Sequence, residues 1–145
     1  QCVTEAFAAA LKDGYTHYTH SLGLWGLREA ISDYYLQHYK VKVHPDQVVV
    51  TSGSSPAIMM VCAALLEAGD EAVCSDPYSA CYPNFIEFVE GRCVTVPVRE
   101  EEGFQYRPEA IAERLTPRTR LIFINSPANP TGAVMTAESA KKRAR

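Results

Sequence analysis

Two turns of this chain carry the polar groups best suited to hold a ligand. The first is Gly53-Ser-Ser-Pro56, which joins an apolar run to a helix-forming segment. Backbone N–H groups and the positive end of the dipole make the start of a helix a favourable seat for phosphate. The hydroxyls of Ser54 and Ser55 add further donors. Either serine could instead cap the helix, so the turn alone leaves both readings open.

The second turn is Asn125-Ser-Pro-Ala-Asn-Pro-Thr-Gly132, which follows the apolar residues 121–124. Ligands bind outside the carboxyl ends of the strands in open α/β sheets, and this turn begins where a predicted strand ends. The side-chain amide of Asn129 offers both a donor and an acceptor. A plain polar turn is the alternative. Because the amide must be aimed at a ligand, we predict a cis bond between Asn129 and Pro130.

Aromatic residues near the same predicted edge could cover a flat ring. Tyr78 and Tyr82 follow the second predicted strand, although as single residues they are also typical of packing. The loop around Tyr18 combines aromatic and polar residues, and its hydroxyls could reach a ligand on this chain or on a neighbouring one. A packed loop is the alternative there.

The periodicity of the chain predicts an α/β fold. Strands at 47–52, 71–75, 93–98 and 121–125 alternate with helices at 57–67, 82–90 and 108–115, after two helices at 4–12 and 24–39. Such alternation favours parallel pairing with right-handed crossovers. Residues 137–145 are predicted to start a further helix. In the helix at 24–39 one face is predicted to be apolar, with Arg28 and Glu29 on the other side; the apolar face comprises Leu27, Ala30, Ile31, Tyr34 and Tyr35.

Composition narrows the possible functions. With 145 residues, 47% of them hydrophobic, and a net charge of -3, the chain predicts one globular domain without a nucleic-acid or membrane partner. The five cysteines are odd in number and form no Cys-x-x-Cys pair, which indicates reduced thiols of a cytoplasmic protein, with Cys62 and Cys74 buried. The four histidines lack metal-ligand spacing, so no metal site is predicted. A start without Met or signal peptide suggests an internal piece of a longer protein.

The order of the motifs is similar to that of a known family. The series includes Leu27-Arg-Glu-Ala-Ile31, Val49-Val-Thr-Ser-Gly-Ser-Ser-Pro-Ala57, Gly69-Asp-Glu-Ala-Val73, Leu115-Thr-Pro-Arg-Thr119 and Asn125–Gly132. It resembles the class I/II aminotransferases, the fold-type I enzymes dependent on pyridoxal 5'-phosphate, and most closely their aspartate-aminotransferase-like branch. The resemblance runs from about Tyr15 to Thr136. It implies the three-layer α/β/α sheet of the large domain, with residues 1–40 forming N-terminal helices and a dimer and cofactor loop, and residues 41–145 the first part of the large cofactor-binding domain.

The resemblance also implies roles for particular residues. Gly53, Ser54 and Ser55 match the turn that holds the cofactor phosphate. Asn129 matches the amide that donates to the phenolic oxygen of the cofactor ring. Tyr18 matches a tyrosine that reaches the phosphate of the partner subunit, which implies a homodimer. The aromatic that stacks on the ring would fall at Ser79, so Tyr78 is only a substitute candidate for it.

The catalytic lysine of the family, which forms a Schiff base with the cofactor, lies well beyond the last matched motif. Lys141 and Lys142 lack its context, so we expect this segment alone not to catalyse transamination. The resemblance therefore implies a fragment of an aminotransferase that moves an amino group between an amino acid and a 2-oxo acid. Two alternatives are a ligand-sensing aminotransferase-like module of a transcription regulator and a degenerate remnant.

Overall fold

The computed structural model describes residues 1–137 and residue 139, and the predicted helix at 137–145 lies almost wholly outside that range. The chain divides into two compact units, residues 1–52 and residues 53–145. The division predicted at residue 40 from the family resemblance stays a prediction about domains of the whole protein. None of the described helices is both long and apolar enough to cross a membrane.

The first unit contains two helices, α1 (Cys2–Lys12) and α2 (Trp25–Tyr39), and a short 3-10 helix at Pro45–Gln47. The face of α2 that was predicted to be apolar is not the face that the helix buries within this unit. Its buried residues are Arg28 and Ser32, whereas Leu27, Tyr34 and Tyr35 are exposed. The apolar side chains simply outnumber the polar ones on this helix, and their pattern gave no sign of the buried guanidinium.

Arg28 is buried because its guanidinium satisfies backbone carbonyls from two loops. Its Nε donates to the carbonyl of Gly23 at 3.2 Å, and its Nη1 donates to the carbonyl of Pro45 at 3.0 Å. Nη1 also lies 3.2 Å from Oδ1 of Asp46, and the group stacks 4.9 Å from the ring of Trp25. A buried charge with this many partners ties the loop before α2 to the turn after it.

The strand predicted at 47–52 does not form. Its first residue belongs to the 3-10 helix, where the side chain of His44 accepts from the N–H of Asp46 and the side chain of Gln47 accepts from the N–H of His44. Further on, the N–H of Val50 donates to the carbonyl of Leu22 at 2.9 Å. A β-branched run becomes a strand only beside a strand that can complete the ladder, and the described residues of this unit supply none.

The described part of the second unit is built on a parallel sheet of three strands in the order β2-β1-β3. The strands are β1 (Glu71–Asp76), β2 (Arg92–Pro97) and β3 (Thr119–Ile122). β1 pairs in parallel with both neighbours, with Glu71 opposite Arg92 and Val73 opposite Ile122. The parallel pairing confirms the prediction from strand and helix alternation.

Helices cover both faces of this sheet. The helices are α3 (Ser54–Leu65), α4 (Cys81–Phe88) and α5 (Pro108–Ala112). On one face, α3 and α4 pack against Ala72 and Cys74 of β1. On the other face, Ile111 of α5 packs with Val73 and Val96. The alternation of inward side chains along β1 therefore produces three layers, as predicted for an α/β fold.

Candidate functional site

The start of α3 presents donors that its own side chains leave unused. Gly53 is the N-cap residue, and no side chain caps the helix. Ser54 and Ser55 are exposed, so the capping alternative for these two serines is not what the structure contains. The first amides of an α-helix have no carbonyl to bond within the helix, and they carry its positive end. An anion can therefore approach them.

Gly53 opens the approach to these amides. Its backbone has φ 108° and ψ 175°, a region used almost only by glycine. A Cβ built at this position would meet nothing within 4 Å, so the space before the turn is open. The turn thus has the shape that a phosphate group requires: free space, backbone donors and two hydroxyls.

Topology brings the start of α3 to the edge of the sheet where the strands end. α3 ends at Leu65, and β1 begins six residues later, at Glu71. Cys62 of α3 packs with Ala72 and Cys74, so the helix runs back over β1 in the opposite direction. Its first turn therefore lies towards the carboxyl ends of the strands. Asn129 follows β3 at the same edge, since β3 is parallel to β1.

The loop that carries Asn129 is closed by its own hydrogen bonds. The N–H of Ala128 donates to the carbonyl of Ala133 at 2.8 Å, and the N–H of Gly132 donates to the carbonyl of Ala128 at 2.6 Å. The N–H of Met135 donates to Oγ of Ser126 at 2.8 Å. The bond between Asn129 and Pro130 is cis, as predicted. Asn129 is exposed, and no hydrogen bond joins it to the start of α3 within the described residues.

The three predicted tyrosines lie in different surroundings. Tyr78 is half-buried just beyond the end of β1 and packs against the cluster formed with α3 and α4. Tyr82 is part of that cluster, and its ring stacks on Phe123 with centroids 4.8 Å apart. Tyr18 belongs to the first unit, where it is fully exposed. Ser79, at the position where the family resemblance calls for an aromatic, lies 3.4 Å from Sγ of Cys81.

Burial and neighbouring thiols shift several pKa values in the core beneath this edge. Burial raises the pKa of Tyr82, which keeps its hydroxyl protonated. A hydrogen bond with Cys93 raises the pKa of Cys74 and lowers that of Cys93. Cys62 and Cys74 are buried as predicted, and all five cysteines are free thiols. No three His, Cys, Asp or Glu side chains within residues 1–137 are grouped so that they could hold a metal ion.

A cavity of about 470 Å³ lies elsewhere, in the first unit. Its lining includes Glu29 and Asp33 of α2 together with His44, and it contains none of the predicted site residues. It is an open groove without the donors of the α3 turn, so size alone does not make it the better site.

Two residues that the sequence analysis missed contact the Asn129 loop. The hydroxyl of Tyr106 accepts from the N–H of Asn125 at 3.4 Å. The side chain of Gln105 reaches Val134 and Thr136 on the other arm of the loop. Both residues lie between a glycine turn and a short helix, and neither their types nor their spacing gives a signal that could have revealed these contacts.

The fold and the two turns define a class of protein. The family model for "Aminotransferase class I and II" matches residues 1–144. The chain belongs to this family. Its parallel sheet and its helices on both faces are those of a partial aspartate-aminotransferase-like fold of type I.

Particular relatives agree with this class. The chain is 42% identical over 140 residues to a probable aspartate/prephenate aminotransferase of Aquifex aeolicus, covering 97% of this chain and 36% of the relative. It is 37% identical to an aspartate aminotransferase of Pyrococcus horikoshii, again over 36% of that protein. The structure superposes on Thermus thermophilus aspartate aminotransferase with maleate at a TM-score of 0.90 and 38% identity, covering 99% of this chain and 37% of that one. The chain thus spans little more than a third of the length of these relatives.

Proposed function

We propose that this chain is the cofactor-phosphate part of a pyridoxal-phosphate-dependent aminotransferase. The whole enzyme would transfer an amino group between an amino acid and a 2-oxo acid. The observation that carries the proposal is the uncapped start of α3 behind Gly53, at the sheet edge to which the Asn129 loop also belongs. Membership of the family supports the same activity. Nothing in the described residues or the relatives favours a regulator module.

The residues present fit pyridoxal 5'-phosphate. The amides and hydroxyls of Ser54 and Ser55 would bind its phosphate, and Gly53 leaves space for the phosphate to approach. Asn129 would donate its side-chain N–H to the phenolic oxygen of the ring, which stabilises negative charge there. Tyr78 would lie beside the ring as a substitute for the aromatic missing at Ser79. When bound, the cofactor supplies an electron sink for cleavage of bonds at the substrate α-carbon.

We propose that the full enzyme is a homodimer with shared sites. Support comes from the family resemblance and from the full exposure of Tyr18, whose hydroxyl is available to a neighbouring chain. A mixed dimer tests this arrangement. If Tyr18→Phe is placed on one subunit and Ser55→Ala on the other, one site is unaltered and one carries both changes. Two cofactor affinities, one that of the wild type and one weaker than that of Ser55→Ala alone, support the proposal. Two sites that are each weakened by a single change contradict it.

We propose a class of substrate and a type of cellular compartment for the full enzyme. The relatives and structural neighbours carry the names of aspartate, prephenate, alanine and aromatic aminotransferases, so amino acid and 2-oxo acid is the shared class. Five unpaired cysteines support a reducing compartment such as the cytoplasm.

The experiment that tests the enzyme proposal uses the full open reading frame. The purified protein is incubated with pyridoxal 5'-phosphate, and amino transfer to 2-oxoglutarate is measured with a panel of amino acids. We expect transfer from at least one donor and loss of tight cofactor binding when Ser54 and Ser55 are both changed to alanine. A Thr4→Ala variant, which removes an exposed hydroxyl of α1, serves as the control. A full-length protein that binds no cofactor would overturn the proposal.

A further inference from the structure

The side chain of Gln105 bridges two segments of the second unit that lie far apart in the sequence. Its Nε2 donates to the carbonyl of Val134 at 3.1 Å, and its Oε1 accepts from the N–H of Thr136 at 3.2 Å. Nε2 also donates to the carbonyl of Gly103 at 3.1 Å. Both N–H groups of the amide and its oxygen are therefore engaged. Only this orientation of the amide satisfies all three partners, since the reverse would set two donors against each other.

These bonds fix the outgoing arm of the loop that carries Asn129. Gln105 bonds on both sides of Met135, whose own N–H donates to Ser126 on the incoming arm. One step further in, Ala128 and Ala133 close the loop around the turn. Gln105 is therefore connected to Asn129 through the loop. It bonds to the outgoing arm, the outgoing arm bonds to the incoming arm, and the two arms together hold the turn that carries Asn129.

We propose that Gln105 is a positioning residue for Asn129, holding the outgoing arm of its loop so that the amide stays aimed at the cofactor ring. This inference rests on the proposed function. Gln105 touches neither cofactor nor substrate; it acts through residues 134–136. Asn129 itself is exposed and lacks bonds of its own to fix it within the described residues, so its direction depends on the loop.

The first test requires no cofactor. In the full-length apoprotein, Gln105→Met removes the acceptor of the Thr136 N–H while keeping the length of the side chain. We expect exchange of the Thr136 amide, followed by NMR, to become roughly fivefold faster, the effect of losing one hydrogen bond. Gln105→Glu retains an acceptor for this N–H but sets a carboxylate oxygen against the carbonyls of Gly103 and Val134, so it should not restore the protection. Unchanged exchange in Gln105→Met would overturn the inference.

The second test measures the aim of Asn129. The pH titration of the visible absorbance of the bound cofactor reports charge on its ring, so Asn129→Ala should shift the titration. Gln105→Met should shift it in the same direction and by less, and the double variant should shift it no further than Asn129→Ala alone. Gln37→Met serves as the control, because Gln37 is an exposed glutamine of α2 whose side chain has no partner within the described residues.

The outcomes separate this inference from the proposed function. If Asn129→Ala shifts the titration and Gln105→Met does not, Gln105 does not position Asn129 and the inference fails. If Asn129→Ala itself causes no shift in a protein that binds the cofactor, the proposed role of Asn129 fails first. Additive shifts in the double variant would also overturn the inference, because Gln105 would then act by another route.

Discussion

Replacement of Gly53 by alanine tests the backbone of the proposed phosphate turn without altering any side-chain donor. The added Cβ would meet no atom within 4 Å, so it causes no clash. The added Cβ instead disfavours the backbone conformation of residue 53, which has φ 108° and ψ 175°. A residue other than glycine held in this region costs about 1–3 kcal/mol. The turn should therefore move, and the amides of Ser54 and Ser55 should turn with it.

The expected size follows from that backbone cost. If the bound state requires the glycine conformation, the affinity for pyridoxal 5'-phosphate falls by a factor between about 5 and about 150, because every 1.4 kcal/mol is worth about tenfold. The dissociation constant is measured on the full-length protein by titration of the cofactor absorbance. Thermal unfolding of the apoprotein is measured in parallel, to record the part of the cost that appears as lower stability.

Gly26→Ala is the matched control. A Cβ at Gly26 also meets nothing within 4 Å, but its φ is not positive and it lies inside α2. Alanine in a helix is more stable than glycine by about 0.5–1 kcal/mol, so this variant should gain stability and keep its cofactor affinity. The reasoning about Gly53 is refuted if Gly53→Ala binds the cofactor as tightly as the wild type and unfolds at the same temperature.

Three further predictions concern the scaffold, each measured by chemical denaturation of the full-length protein beside the wild type. Glu71→Ala should lower the free energy of unfolding by about 2–3 kcal/mol, because the buried carboxylate accepts from Oγ1 of Thr116 at 2.6 Å. In a Thr116→Val background the same change should cost much less, and additive costs in this double-mutant cycle would contradict the bond. Gly23→Ala should cost about 3 kcal/mol or more, since its Cβ would lie 2.6 Å from Cβ of Val50 at φ 101°, and a stable variant would show that the close approach is absent. Burial raises the pKa of Tyr82, so the contribution of its protonated hydroxyl to stability is complete below about pH 10 and is lost as pH rises above that value. Tyr82→Phe should therefore lose less stability between about pH 9 and 11 than the wild type, and equal losses would refute this.

The sheet could be predicted from sequence because its strands are apolar runs with clear ends. β1 is stopped by Asp76 and Pro77, and the run at 93–98 overlaps β2 closely, whereas the run at 121–125 shares only residues 121 and 122 with β3. β1 is buried on both faces along most of its length, and such a strand needs little beyond local composition to identify it. The same locality explains why the turn at Gly53 could be predicted to begin a helix, since that start depends on consecutive residues.

The features that escaped prediction depend on partners far along the chain. Arg28 is buried only because two segments outside α2 offer it carbonyl groups, and the sequence of α2 gives no indication of those groups. The segment 48–52 has the composition of a strand but lacks a neighbouring strand within the described residues of its unit. Gln105 acquires its role from bonds to residues about 30 positions away. Periodicity reports which face of an element is apolar; it does not report which backbone groups will need a donor.

β1 lies at the centre of this unit, whereas the proposed site lies in turns beyond the strand ends. The residues that stabilise the unit are therefore not the residues that would bind a ligand. β1 is bonded on both edges and covered on both faces, so its amides should exchange with solvent last of all. The turns that would bind a ligand lie beyond the strand ends and contribute little to the stability of β1. Substitutions in them can accumulate while the centre remains intact. A single scaffold of this kind can therefore be adapted to different ligands by altering its loops alone.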